Sequence, residues 1–238
     1  MILGIETASP MCSVGIVHDG RVLAEISFDI KSLHDRVLTE AIQRLLYWSG
    51  MELPQVHAIA ISAGPGSFTG LRIGMGVAKG LAFAQDKPII AVNTLLLQAA
   101  AAAPHARAFA QGRGVDISAV RIVPVLQSRR GEVYTATYAW QAPLPAQREQ
   151  DKVVAIPDFP ATLTGMTVLC GNGVAALQET GALGQVENML VVTGPEARLS
   201  GGGAARLGEF KYQRGEIMNA EELEPFYVQD FNIEPRSR

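Results

Sequence analysis

At 238 residues, 48% of them apolar and 18% charged, the chain can build one large or two modest domains with proper cores and is too apolar to be disordered. A formal net charge of −3, with no basic cluster beyond Arg129-Arg130 and the terminal Arg236 and Arg238, argues against holding nucleic acid unaided. Met1 leads straight into apolar residues and the first basic residue is Arg21, so no secretory leader is expected; two cysteines far apart in apolar segments, Cys12 and Cys170, suit a reducing compartment. A cytoplasmic protein is the expectation.

Residues 2–7 read as a strand, 8–10 as a turn and 12–18 as a second strand. Asp19-Gly20 is a two-residue hairpin signal that feeds a third strand over 21–29. From 33 to 49 the period changes. Leu33, Val37, Leu38, Ala41, Ile42, Leu45 and Leu46 form one apolar stripe opposite charged residues, and Gly50 ends the helix as a left-handed cap. A strand over 57–62 then turns through Gly64-Pro65-Gly66 into a second helix capped by Ser67. A short strand over 88–92 and an Ala-rich helix from Thr94 follow, and Pro104 is expected to stop that helix. Three antiparallel strands followed by alternating helix and strand is the ribonuclease-H-like order.

The stretch 104–119, rich in Ala, Gly and Arg, reads as the connection between two domains, 1–105 and 106–238. The second half repeats the order in weaker form. Strands are expected at 121–126, 131–138, 152–156, 166–170 and 189–192, with a short helix after Gly171-Asn172-Gly173 and another from Pro195 to about Lys211. Two tandem units of this kind form the α/β architecture shared by actin and the sugar kinases, with the C-terminal tail able to return onto the first domain.

The helix after Ser67 is unusual. Gly70, Gly74, Gly76 and Gly80 lie inside it, and each interior glycine costs about 1 kcal/mol against alanine. At about 100° per residue, Gly70 and Gly74 share one face, and Gly76 and Gly80 share another roughly 120° away. The rest of the helix is apolar nearly all round, so two bodies are expected to approach it closely. One is the sheet of its own domain; the other is a neighbouring helix or a second protein.

Chemistry is thin elsewhere. The Gly-rich turn lacks the lysine and hydroxyl of a phosphate loop, having Leu71 and Arg72 there, and Pro65 removes one N–H. Glu6 is the one acid where a tandem fold would place a functional carboxylate, and as a lone acid beside a turn it reads as a hydrogen-bonding residue. The four histidines, His18, His34, His57 and His105, show no metal-ligand spacing, and no serine or cysteine has a nucleophile's context. No catalytic residue, metal ligand or cofactor site is assigned.

The run Ser62-Ala-Gly-Pro-Gly-Ser-Phe-Thr-Gly-Leu-Arg-Ile-Gly, with Ala78-Lys79-Gly80-Leu81-Ala82, resembles the signature of the TsaB (YeaZ) family. Ile5-Glu6-Thr7, Cys12-Ser13-Val14, the helix start at His34 and Gly131-Glu132-Val133-Tyr134 fit the same family, as do Gly171-Asn172-Gly173 and Pro225-Phe226-Tyr227. The resemblance is dense over about the first 95 residues. It implies a non-catalytic scaffold, required for threonylcarbamoyl transfer to the adenosine beside the anticodon of ANN-decoding tRNAs. The transfer itself would be carried by a TsaD-like paralogue holding metal and nucleotide, joined by a TsaE-like ATPase, with tRNA met only through the complex.

This chain departs from the family at Gln127-Ser128-Arg129-Arg130, where Asp-Ala-Arg is usual, at Glu6 in place of a common Asp, and at Tyr227-Val228-Gln229 in place of Tyr-Leu-Arg. A glycoprotease-like peptidase and a small-molecule kinase of the sugar-kinase type are the rival readings; bound metal would favour the first and nucleotide affinity the second. The partner surface is expected on the Gly70/Gly74 groove with Leu71 and Ala78 on its flank, joined by Leu33, Val37 and Ala41 of the preceding helix. In the partner's absence the same surface could make a homodimer.

Overall fold

The computed structural model describes residues 1–30, 34–184 and 188–228. Its first sheet has the order β3-β2-β1-β4-β5, built from β1 (Ile2–Glu6), β2 (Cys12–His18), β3 (Arg21–Phe28), β4 (Ala58–Gly64) and β5 (Ile89–Asn93). β1, β2 and β3 are antiparallel, joined at one end by Asp19 and Gly20, both with positive φ as a two-residue turn requires. β4 and β5 add in parallel on the other side of β1. Helices α1 (His34–Trp48) and α2 (Phe68–Gln85) feed those two strands and cover one face of the sheet.

The second sheet repeats the order: β8, β7, β6, β9, β10 from one edge to the other. Its strands are β6 (Arg121–Gln127), β7 (Glu132–Gln141), β8 (Leu144–Ala155), β9 (Thr167–Cys170) and β10 (Met189–Val192). β8 begins eight residues before the expected 152, because β7 and β8 form one long hairpin across Ala142-Pro143. One face carries Phe159 from a 3₁₀ turn and α4 (Val174–Glu179).

The remaining helices, α3 (Thr94–Arg113) and α5 (Gly201–Gln213), lie between the sheets. α3 runs straight through Pro104, and the boundary expected at 105/106 falls inside it. Burial of Ala99, Ala102, Ala103, Ala106 and Ala110 offsets the lost backbone bond, and Pro104 itself is exposed on the solvent side. Its body packs on the second sheet, against residues such as Ile122, Tyr138 and Val168.

α5 crosses the other way and packs on β1, β2 and β4 of the first sheet. The helix expected from Pro195 is a 3₁₀ turn at Pro195–Ala197, a break, and then α5 capped by the Ser200 hydroxyl, which accepts from the Gly203 N–H at 3.0 Å. The glycine run is a contact surface. A Cβ on Gly4 would collide with the carbonyl oxygen of Gly201, and one on Gly201 with the backbone of Val14. The first free N–H groups of α5 donate to the Ser13 hydroxyl at 2.9 Å and to the Glu25 carboxylate at 2.8 Å.

After α5 the chain returns along the open edge of the first sheet. Met218 exchanges both backbone hydrogen bonds with Ile89 at 2.9 Å, Leu223 is buried beside α1 and α2, and the Phe226 N–H donates to the Ala63 carbonyl at 2.7 Å. This strap covers an edge strand that would otherwise offer free backbone groups.

Candidate functional site

Ser67 caps α2 as the sequence predicts, its hydroxyl accepting from the Gly70 N–H at 3.2 Å. The two glycine faces are resolved in the opposite sense to the expectation. A side chain at Gly70 would strike the carbonyl oxygen of Thr7, and one at Gly74 the Thr7 hydroxyl and the Ile61 side chain. Gly70 and Gly74 are buried, Leu71 and Ala78 are fully so, and Ala41 on α1 is buried as well. This groove lets α2 settle on the end of β1, so its own sheet fills it and these residues present no free surface. Val37 is half-buried, and Leu33 lies outside the described residues.

The outward face is the other one. Gly76 and Gly80 are exposed, with nothing near where a Cβ would stand. Phe83, one turn on, is 85% exposed, and Ile73, Val77 and Leu81 are only partly covered. α1 lies against α2 and ends in Tyr47 and Trp48, 76% and 68% exposed. At the other end of α2, Phe68 stacks with Tyr227 of the strap at 5.8 Å, and the Arg72 guanidinium sits 4.0 Å over the Phe68 ring. Large exposed aromatics on two adjacent helices make an apolar face that single scattered residues would not.

A cleft opens where the loops of the two sheets meet. One cavity, about 250 Å³, is lined by Ser9, Pro10 and Met11 of the β1–β2 turn and by Gly171, Asn172, Thr193 and Gly194 of the second sheet. Asp29 and Arg198 close its rim through an ion pair at 2.7 Å. A neighbouring hollow holds His34, Asp35, Ser67, Thr69, Gln127 and Ser128. The Asn172 side-chain carbonyl accepts from the Gln127 N–H at 3.0 Å and so ties two of these loops together.

Asp29 and Arg198 are held by each other, and His34 is held by the β1–β2 turn. The His34 Nε2 lies 3.1 Å from the Ser9 carbonyl and 3.0 Å from that of Met11, which pins the β1–β2 turn to α1. In the tandem fold a nucleotide's phosphates would need this turn as a cradle. Here Pro10 offers no N–H, the Ser9 N–H is taken by Glu6, and the Ala8 carbonyl is held by the Ser67 N–H at 2.7 Å. The turn does not fit a phosphate chain.

Glu6 is buried completely. One carboxylate oxygen accepts from the Ser9 N–H at 3.1 Å, and the other has no partner. Burial pushes its carboxyl up to about 7, since desolvation penalises the charged form. Burial also pushes the Cys12 thiol up to about 11, which makes it a poor nucleophile at neutral pH. Glu6 therefore shapes the turn from beneath and does not reach the cleft's lining.

Nothing local in the sequence marks the Asp29–Arg198 closure, whose partners are 169 residues apart. Asn172 was visible as the polar residue between two glycines, though not its partner.

The model of the tRNA N6-adenosine threonylcarbamoyltransferase family, TsaD, matches residues 21–191. The activator of 2-hydroxyisocaproyl-CoA dehydratase from Clostridium difficile shares the fold, at 10% identity and a TM-score of 0.50 over 92% of this chain and 98% of that one. Two sheets of equal strand order with helices between them thus define a tandem ribonuclease-H-like protein of the threonylcarbamoyltransferase family.

Within that class, the tRNA threonylcarbamoyladenosine biosynthesis protein TsaB of Escherichia coli is 31% identical over 234 residues, 96% of this chain and 94% of the relative. YeaZ from Pseudomonas aeruginosa is 28% identical with a TM-score of 0.76, covering 95% of this chain and 98% of the other. The chain belongs to the TsaB family and serves in tRNA threonylcarbamoyladenosine biosynthesis. Among the described residues no helix is long and apolar enough to cross a membrane.

Proposed function

We propose that this chain is a non-catalytic scaffold in the cytoplasm, required for threonylcarbamoyl transfer to the adenosine beside the anticodon of ANN-decoding tRNAs. It acts by binding a TsaD-like catalytic paralogue through the outward face of α1 and α2, and the assembly is completed by a TsaE-like ATPase. The observation that carries this reading is the open Gly76/Gly80 groove, flanked by Phe83 and by Val37, Ile73 and Val77. Glycines in a helix are unfavourable unless something approaches closely, and among the described residues nothing approaches these two. When the partner is absent, two copies exchange a self-contact for the hetero-contact on the same face.

Gly76→Leu fills the groove without touching the chain's own core. The variant should melt at or above the wild-type temperature, because an exposed helical glycine is removed, yet lose co-purification with the TsaD-like partner and fail to restore tRNA modification in a reconstituted mixture. A Gly76→Leu, Phe83→Asp double variant that binds the partner with wild-type affinity would show that the surface lies elsewhere. The scaffold role is tested separately. Product formed by this chain alone, with threonine, bicarbonate, ATP and tRNA supplied, would overturn it.

A further inference from the structure

The tip of the β2–β3 hairpin and the solvent side of α5 bring together three side chains that the sequence keeps far apart. His18 and Asp19 are neighbours in the hairpin, with His18 Nε2 3.6 Å from an Asp19 carboxylate oxygen. Glu209, on α5, is 190 positions away from Asp19 in the chain. One ligand atom from each of the three lies within 4.8 Å of the other two. Four-coordinate zinc, with bonds of about 2.0–2.2 Å to nitrogen and oxygen, spaces its ligands about 3.3–3.6 Å apart, so small side-chain rotations close the set.

We infer that His18, Asp19 and Glu209 form a binding site for a divalent transition ion of the zinc type, clamping the β2–β3 hairpin to α5. The chemistry of the set supports that class of ion: one imidazole and two carboxylates suit zinc better than the all-oxygen shells of calcium or magnesium. Two carboxylates supply the charge. Preorganisation comes from the backbone. The Glu209 carboxylate accepts from the Asp19 N–H at 2.9 Å and from the Gly20 N–H at 2.6 Å, so its position is fixed against the turn. Each of those oxygens keeps a second lone pair. His18 and Asp19 are exposed, which leaves an entry path and room for water in the fourth position. The ion is an exchangeable one, because three ligands at the surface do not enclose it.

The test is calorimetric titration of the full chain with zinc chloride, paired with a melting curve at each zinc concentration. One ion per chain should bind, with an apparent Kd below about 100 µM, and the melting temperature should rise with zinc. His18→Ala should weaken binding at least tenfold and remove the zinc-dependent rise. The His18 side chain is half-exposed and outside every core, so this variant should fold as the wild type does. Glu209→Gln keeps one of the two acceptors for the turn and should weaken binding by a similar factor. His57→Ala, at a histidine outside the set, should leave binding unchanged. No saturable binding up to about 1 mM zinc, or equal affinity in wild type and His18→Ala, would overturn the assignment.

Discussion

Glu6 carries the clearest residue-scale consequence. Its carboxyl stands at about 7 in the folded chain because it is fully buried, against an ordinary value of 4.5. Between those values the native state holds a proton that the unfolded chain has released, so stability should fall as pH rises across that window and stay lower above it. Below about 4.5 the penalty is absent. Glu6→Gln removes the charge and should recover about 1–3 kcal/mol at pH 8. Urea midpoints at pH 5 and pH 8 would check this. The wild type should lose stability between the two relative to the variant, and parallel profiles would count against it. Gly74→Leu belongs to the same scale. A leucine there meets Thr7 and Ile61, so overpacking should cost about 1–3 kcal/mol or more and lower the melting temperature, unlike the same change at Gly76.

At the scale of elements, the first sheet was legible almost to the residue, because its signals are local. The Asp19-Gly20 turn, the Ser67 cap, the Gly50 stop and the stripe of α1 each depend on a few adjacent side chains. α3 was less legible. Pro104 is a strong local stop, and it was overridden by the burial of alanines on both sides of it, a tertiary effect with no local mark. Pro104→Ala restores an N–H to an exposed helical position and should stabilise α3 by about 1–3 kcal/mol, read as a higher melting temperature. An unchanged or lowered value would count against Pro104 being a local cost to α3. The two glycine faces of α2 were visible by period, but which of them turns inward depends on where the Thr7 turn lies, and that is fixed only when β1 and α2 meet. The cluster at His18 was invisible for the same reason.

For the whole molecule, the crossing of α3 and α5 decides how the halves behave. One buried cluster includes Ile2 and Ala60 from the first sheet, Ile122 and Val168 from the second, and both helices between them. A boundary of that kind is a core and not a linker. The chain should therefore unfold in a single cooperative step despite its two sheets. Calorimetry should give equal van't Hoff and calorimetric enthalpies. Two resolved transitions would mean that the sheets hold their structure independently.

The position of α5 also has a consequence during synthesis. All five strands of the first sheet lie within the first 93 residues, yet the helix that covers their inner face begins at Gly201. At about 5–20 residues per second, a ribosome takes roughly 5–25 s to make what lies between β5 and the end of α5. For that interval the face lined by Gly4, Gly15 and Ala60 has no lid, and its backbone is open to any other nascent chain or chaperone nearby. A ribosome stalled anywhere in the second half would hold out a sheet that cannot close, a natural substrate for the proteases that clear unfinished polypeptides.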